Sequence, residues 1–115
     1  RRGRPPRLGE WGIPGGAQRL GETLAEAARR EVLEETGLVI GTPRVLTTLD
    51  AITRDAQGRV EYHYTLVELV ADCPDGEARA GDDALDVRWA TAEEADALVA
   101  WDETRRIIRL ALAAG

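Results

Sequence analysis

The sequence predicts a single α/β domain over all 115 residues. One segment with helical periodicity, marked by start and stop signals, lies in the first third of the chain. Two segments that alternate apolar and polar residues follow it and are joined by a short turn. Two more helical segments lie near the end. A chain of this length is close to the usual size of one domain, so we expect one hydrophobic core.

The first predicted helix covers residues 24–36 and has clear signals at both ends. Thr23 and Glu26 form the capping-box pattern, in which the threonine hydroxyl accepts from a free backbone N–H and the glutamate reaches back. Gly37 suits the left-handed position after a helix, and Leu38 supplies the apolar contact of a Schellman cap. The ends of this helix are therefore the best-defined boundaries in the sequence.

The two β-leaning segments are 44–54 and 60–70, and the DAQG sequence at 55–58 is typical of a turn. We therefore expect these segments to form a hairpin. The remaining predicted elements are a short strand from Asp86 to Ala90, a brief helix capped by Thr91, and a final helix from about Glu103 to Ala113 with Ile107, Leu110 and Ala111 inward.

Three carboxylates lie close together on the first helix. Glu31, Glu34 and Glu35 are spaced i, i+3 and i+4, which places their Cβ atoms roughly 5–6 Å apart. A solvated network is one explanation, because Glu26, Arg30 and Glu34 follow one another at i+4 steps. The helical wheel instead places Glu31 and Glu35 within the apolar stripe, where a carboxylate is partly desolvated and attracts a hard cation such as Mg²⁺ or Mn²⁺. The stripe consists of Leu24, Ala28 and Val32.

The segment from Gly16 to Leu38 matches the pattern G-x5-E-x7-R-E-U-x-E-E-x-G-U without a gap, where U is a bulky aliphatic residue. This pattern resembles the Nudix box of the Nudix hydrolases, and the flanking GxWxxPGG run and a predicted strand ending at Trp89 are similar to the family too. The matching residues are Gly16, Glu22, Arg30, Glu31, Val32, Glu34, Glu35, Gly37 and Leu38.

The resemblance implies a fold, the Nudix α/β/α sandwich with a mixed β-sheet. In the family, one or two strands precede the position at which this chain begins, and the sequence contains no Met. We therefore expect an N-terminal piece, including one or more strands, to be missing from the 1–115 domain.

The resemblance also implies an activity, the hydrolysis of the pyrophosphate bond of a nucleoside diphosphate linked to a second moiety X. The implied ligands of Mg²⁺ or Mn²⁺ are Gly16, through its backbone carbonyl, Glu31, Glu34 and Glu35. The implied catalytic residues are Glu34, Glu35, Arg30 and Asp83, with Glu22 as the accessory glutamate. We expect substrate contacts from Gly15, Gly16, Trp11 and Arg7. The alternative roles are a surface ion pair for Arg30, packing for Trp11 and a charged strand end for Arg7.

Asp83 is the predicted loop acid, as a metal ligand or general base. It lies in the segment 72–86, which is rich in Asp, Gly, Ala and Pro and long for a connection, and such segments are often functional. Asp82 and Asp86 are the alternatives, and a solubilising role for Asp82 and Asp83 explains the composition equally well. The family commonly has glutamate there, so the shorter aspartate weakens the general-base assignment.

Composition limits the partners and the location. The net charge of −6 disfavours binding to a nucleic-acid polymer and agrees with a site that imports cations before it binds an anionic small nucleotide. The single Cys73 excludes an internal disulfide, and no apolar run of membrane-spanning length is present. We therefore expect a cytoplasmic protein that does not bind a membrane, and leave a homodimer open.

The identity of X stays open in the sequence. We favour ADP-ribose or a related NDP-sugar, because the flanks of the box are similar to the bacterial ADP-ribose pyrophosphatase-like and nucleotide-sanitising group. A (deoxy)nucleoside triphosphate pyrophosphohydrolase is the first alternative. A domain that senses nucleotides without cleaving them is the second, and the intact set of box glutamates argues against it.

Overall fold

A computed structural model of the protein describes residues 1–4, 7–73 and 76–114. Helices and a sheet are both present, as the α/β prediction requires. Pro74 and Asp75 of the predicted 72–86 loop lie outside the described residues. The elements, in order, are α1 (Leu24–Thr36), β1 (Arg44–Arg54), β2 (Val60–Val70), α2 (Ala92–Leu98) and α3 (Asp102–Ala114).

Helix α1 begins and ends where the sequence predicts. At its start, the N–H of Glu26 donates to Thr23 Oγ1 and the N–H of Thr23 donates to Glu26 Oε1, each at 3.1 Å. These two bonds satisfy backbone donors that a helix start leaves free, and they define the residue at which the helix begins.

The C-terminal end of α1 differs in detail from the prediction. Gly37 has a φ of 74° and its N–H donates to the Leu33 carbonyl at 2.9 Å. The predicted Schellman cap is wrong, because the N–H of Leu38 donates to Thr36 Oγ1 at 3.2 Å instead of to a helix carbonyl. The helix therefore ends in the simpler left-handed cap.

Strands β1 and β2 form an antiparallel hairpin with the predicted bounds. The turn between them is held by Asp55, whose Oδ1 accepts from the N–H groups of Gln57 and Arg59, each at 2.9 Å. The register pairs Asp50 with Thr65 and is interrupted near both ends of β1. Within the described ranges the sheet has these two strands alone, so the parallel part of the predicted mixed sheet is not seen there.

The predicted strand from Asp86 to Ala90 is wrong. The first residues of the chain pair instead with residues just before this segment. Arg2 is bridged to Ala84, and the N–H of Leu85 donates to the Arg1 carbonyl at 2.8 Å. A β-strand requires a ladder of such bonds to a neighbour. The last contact of this pairing joins the amino group of Arg1 to the Asp86 carbonyl, at 2.7 Å, and in the part of the chain that the structure describes 86–90 runs as an irregular segment.

Helices α2 and α3 pack against each other, and each contributes one buried apolar side chain, Ala95 and Ile107. Ile107 is buried, as predicted, whereas Leu110 is exposed because it lies toward the solvent side of α3. On α1, Ala27 is buried, whereas Leu24, the first residue of the predicted apolar stripe, is exposed. The buried face of α1 is therefore rotated away from the predicted stripe. The buried hydrophobic residues are Ala27, Ala95, Val99 and Ile107.

Across the described ranges, no helix combines the length and the apolar character needed to cross a membrane. The cytoplasmic location stays a prediction.

Candidate active site

Arg30 is the centre of the acidic face of α1. Its Nε donates to Glu22 Oε2 and its Nη1 to Glu31 Oε1, each at 2.7 Å. Nη1 also lies 3.3 Å from Glu34 Oε2, and Nη2 donates to the Ala17 carbonyl and to Glu22 Oε1, each at 2.9 Å. All three guanidinium nitrogens are therefore engaged, and Arg30 orients Glu31 and Glu34.

The three groups with the shortest contacts in this network are largely shielded from solvent. The exposed fraction of the side chain is 16% for Arg30, 14% for Glu22 and 12% for Glu31. Hydrogen bonds from Arg30 lower the pKa of Glu22 to about 2, and those to Glu22 and Glu31 raise the pKa of Arg30. Arg30 and Glu22 thus stay charged and paired at any physiological pH, which makes the network a fixed support and contradicts an ordinary surface pair.

The turn formed by Gly15 and Gly16 covers the same face. The backbone N–H of Gly15 donates to Glu35 Oε2 at 3.3 Å. Gly16 packs directly on Glu31, so a Cβ at this position would collide with the Glu31 carboxylate. Only a residue without a side chain lets the backbone of the turn approach the carboxylates this closely.

Glu35 is the carboxylate with the most unusual environment. Burial, above all, raises its pKa from the ordinary value of 4.5 to about 7, and the nearby charges of Glu31 and Asp82 act in the same direction. The N–H of Gly15 opposes this shift by stabilising the ionised form. Glu35 is thus partly protonated near neutral pH, and a cation bound beside it would displace that proton.

The loop that carries the predicted acid docks on the C-terminal end of α1. The N–H of Arg79 donates to the Thr36 carbonyl at 2.8 Å and that of Gly81 donates to the Glu35 carbonyl at 3.1 Å. A Cβ on Gly81 would collide with the Glu34 carbonyl oxygen, so the approach is close. These bonds satisfy carbonyls that a helix end leaves free, and they place residue 82 beside the acidic face.

The two candidate loop acids have different surroundings. Asp83 Oδ2 lies 2.5 Å from a guanidinium nitrogen of Arg4, so the charge of this predicted site residue is committed to an ion pair. Asp82 has a left-handed φ of 50°, and its charge acts on Glu35. The charge of Asp82 thus acts on a box glutamate, whereas Asp83 is paired with Arg4.

Of the predicted substrate contacts outside the glycine turn, Arg7 has a partner in another part of the chain. The guanidinium carbon of Arg7 lies 4.0 Å from the centre of the Trp101 ring, next to the start of α3, in a cation–π contact. Trp11 is half-buried. A neighbour that sequence reasoning missed is Arg19, whose guanidinium lies 3.6 Å from Glu34 Oε1. Residues in loops, such as Arg19, follow no helical or strand periodicity, so the sequence pattern gives no sign that they lie near the site.

The donor set of this face suits a hard divalent cation. Oxygen ligands from three glutamates, one of them desolvated, and the close approach of the Gly16 backbone agree with a magnesium or manganese site. Within the described residues, no three His, Cys, Asp or Glu side chains converge closely enough to hold an ion as they stand. Arg30 holds Oε1 of Glu31 and Oε2 of Glu34, so those glutamates would have to adjust to a cation.

Sequence comparison relates the chain to a known domain family. A model of the NUDIX domain matches residues 1–111. An ADP-ribose pyrophosphatase from Methanocaldococcus jannaschii is 36% identical over 84 residues, which are 73% of this chain and 47% of that protein. The nucleoside triphosphatase NudI of Escherichia coli K12 is 33% identical over 111 residues, covering 89% of this chain and 76% of NudI. The chain thus spans about half the length of the first relative and three quarters of the second.

Solved structures show the same fold. The MutT NUDIX hydrolase from Burkholderia pseudomallei superimposes with a TM-score of 0.74 at 27% identity, covering 95% of this chain and 82% of that one. The NUDIX domain of Shewanella oneidensis NrtR, complexed with ADP ribose, superimposes with a TM-score of 0.80 at 24% identity, covering 98% and 73%. At 24% identity, the similarity to the NrtR domain shows only that the two folds are alike.

Proposed function

Since the chain belongs to the NUDIX domain family, that of the Nudix hydrolases, we propose that it hydrolyses the pyrophosphate bond of a nucleoside diphosphate linked to a second moiety, using a divalent cation. The observation that carries this proposal is that two α1 carboxylates, Glu31 and Glu35, lie against the Gly15–Gly16 turn, with the pKa of Glu35 raised to about 7. A structural surface helix has no need of a desolvated glutamate beside a glycine turn.

Each residue of the face has a role in this reaction. Glu31, Glu34, Glu35 and the Gly16 carbonyl would hold Mg²⁺ or Mn²⁺. When bound, the cation neutralises charge on the phosphates and lowers the pKa of the attacking water. Arg30 keeps Glu31 in place.

Asp82 is the proposed acceptor for the proton of the attacking water. It lies on the loop that is bonded to the end of α1, and its charge already acts on Glu35. Asp83, predicted from the sequence for this role, is held by Arg4. It stays a candidate only if that ion pair opens when substrate binds.

ADP-ribose or a related NDP-sugar is the proposed substrate, supported by the 36% identity to a protein named ADP-ribose pyrophosphatase. A nucleoside triphosphate is the second candidate, supported by the similarity to NudI over most of this chain. The two candidates differ in their products. Cleavage of ADP-ribose yields AMP and ribose 5-phosphate, whereas a triphosphate cleaved to a monophosphate releases pyrophosphate.

The test is product release from ADP-ribose, other NDP-sugars and the (deoxy)nucleoside triphosphates, each with Mg²⁺ and with EDTA. One strongly preferred, EDTA-sensitive substrate is the expected result, and Glu35→Gln should abolish its turnover without lowering the melting temperature. No turnover of any compound, with cation-dependent binding retained, would replace the hydrolase proposal by a nucleotide sensor. Size-exclusion chromatography of the same sample tests whether the 1–115 domain forms the homodimer left open by the sequence.

A further inference from the structure

The arginines near the acidic face differ in how strongly they are held. Arg30 donates from all three of its nitrogens, and Arg4 lies 2.5 Å from Asp83. Arg19 makes a weaker contact, 3.6 Å from Glu34 Oε1, and 66% of its side chain is exposed. This separation is beyond hydrogen-bond distance, and exposed ion pairs of this kind contribute little to stability. The guanidinium of Arg19 can therefore move at little cost.

The backbone of Arg19, in contrast, is fixed. Its N–H donates to Glu22 Oε1 and its carbonyl accepts from the N–H of Glu22, each at 3.0 Å. The same Glu22 carboxylate accepts from Arg30, at the centre of the network. A mobile cationic side chain on an anchored backbone is thus positioned at the edge of the acidic face.

We propose that Arg19 binds a phosphate oxygen of the substrate's diphosphate group, and that it leaves Glu34 to do so. This inference rests on the proposed function. A cation held by Glu34 would neutralise the charge that attracts Arg19, so the guanidinium would be free to leave. A planar guanidinium matches two phosphate oxygens, so the incoming diphosphate is its natural new partner.

This role predicts opposite effects on two ligands. Arg19 and a divalent cation compete for Glu34 Oε1, so removal of the guanidinium leaves cation affinity unchanged or increases it. The same removal weakens the binding of a diphosphate, because one phosphate contact is lost. A residue that only supported the fold would lower both affinities and the melting temperature together.

The experiment uses the whole chain with Arg19→Gln and Arg19→Lys. The matched control is Arg106→Gln, which removes an exposed arginine paired with Glu103 on α3, 3.1 Å apart. Mn²⁺ binding is followed by electron paramagnetic resonance, and binding of inorganic pyrophosphate in saturating Mn²⁺ by calorimetry. The nucleotide that the substrate panel selects provides kcat and KM, and thermal unfolding provides the melting temperature.

For Arg19→Gln we expect pyrophosphate to bind about tenfold more weakly or worse, which corresponds to about 1.4 kcal/mol. Mn²⁺ should bind as well as before or more tightly, KM should rise more than kcat falls, and Arg19→Lys should recover part of the loss. Arg106→Gln should match the parent. Unchanged pyrophosphate binding in Arg19→Gln, or a parent that binds no pyrophosphate, would overturn the inference. Nucleotide turnover by the parent tests the proposed function separately.

Discussion

The raised pKa of Glu35 makes cation binding depend on pH in a window where ordinary glutamates do not titrate. With a pKa of about 7, about 9% of Glu35 is ionised at pH 6 and about 91% at pH 8. If only the ionised form binds, the apparent Mn²⁺ affinity rises about tenfold between these pH values. If the pKa of Glu35 had its ordinary value of 4.5, the ionised fraction would be about 97% at pH 6 and nearly 100% at pH 8.

The assay is a Mn²⁺ titration of the parent chain at half-unit steps from pH 6 to 8, followed by electron paramagnetic resonance. Glu35→Gln is the control, because glutamine cannot titrate, and its weaker affinity should vary little over this range. A parent affinity that is constant from pH 6 to 8 would refute the reasoning, since it would mean that Glu35 is already fully ionised at pH 6.

Three more predictions follow from the same contacts. Gly16→Ala should weaken Mn²⁺ binding about tenfold or more in titration, because its Cβ would collide with Glu31, whereas Gly12→Ala, with no atom within 4 Å of the new Cβ, should match the parent. Asp82→Asn should lower kcat at least tenfold and Asp83→Asn less; the reverse order in steady-state kinetics would return the loop-acid role to Asp83. The metal-free protein should lose stability as pH rises from about 4.5 to 7, because folded Glu35 keeps its proton where the unfolded chain has released it. Since the side chain is only half-buried, we expect on the order of 1 kcal/mol in urea unfolding. Glu68, whose pKa burial also raises, acts in the same direction, so the decisive comparison is with Glu35→Gln, which should flatten the profile.

Local signals predicted the parts of the fold that depend on neighbouring residues. The capping box at Thr23 and the glycine at 37 determine the ends of α1, and the spacing of Glu31, Glu34 and Glu35 then places all three on one face. Alternation and the Asp55 turn determine the hairpin in the same way. Nothing distant is needed for these elements, so the sequence alone predicts them well.

Features that depend on distant partners are harder to predict from the sequence. A strand at 86–90 requires a neighbouring ladder, and the composition of the segment cannot show which residues pair with it. The choice between Asp82 and Asp83 depends on the left-handed φ of Asp82 and on Arg4, which lies far away in the sequence. Arg7 stays a predicted substrate contact, and its cation–π partner Trp101 lies near the other end of the chain, where no local pattern could reveal it.

The bonds from Arg79 and Gly81 to the last turn of α1 also determine when the site can form during folding. The glutamates and the loop acid lie on opposite sides of the β1–β2 hairpin in the sequence, so their meeting closes a long loop, with the entropy cost that loop closure carries. If the hairpin folds first, it shortens the flexible part of that loop and lowers this cost. Helix α1 and the hairpin are built from local contacts, so we expect the complete acidic face to form after them during folding. Protection of the Gly81 amide against hydrogen exchange would therefore report the assembled site separately from the folded helix.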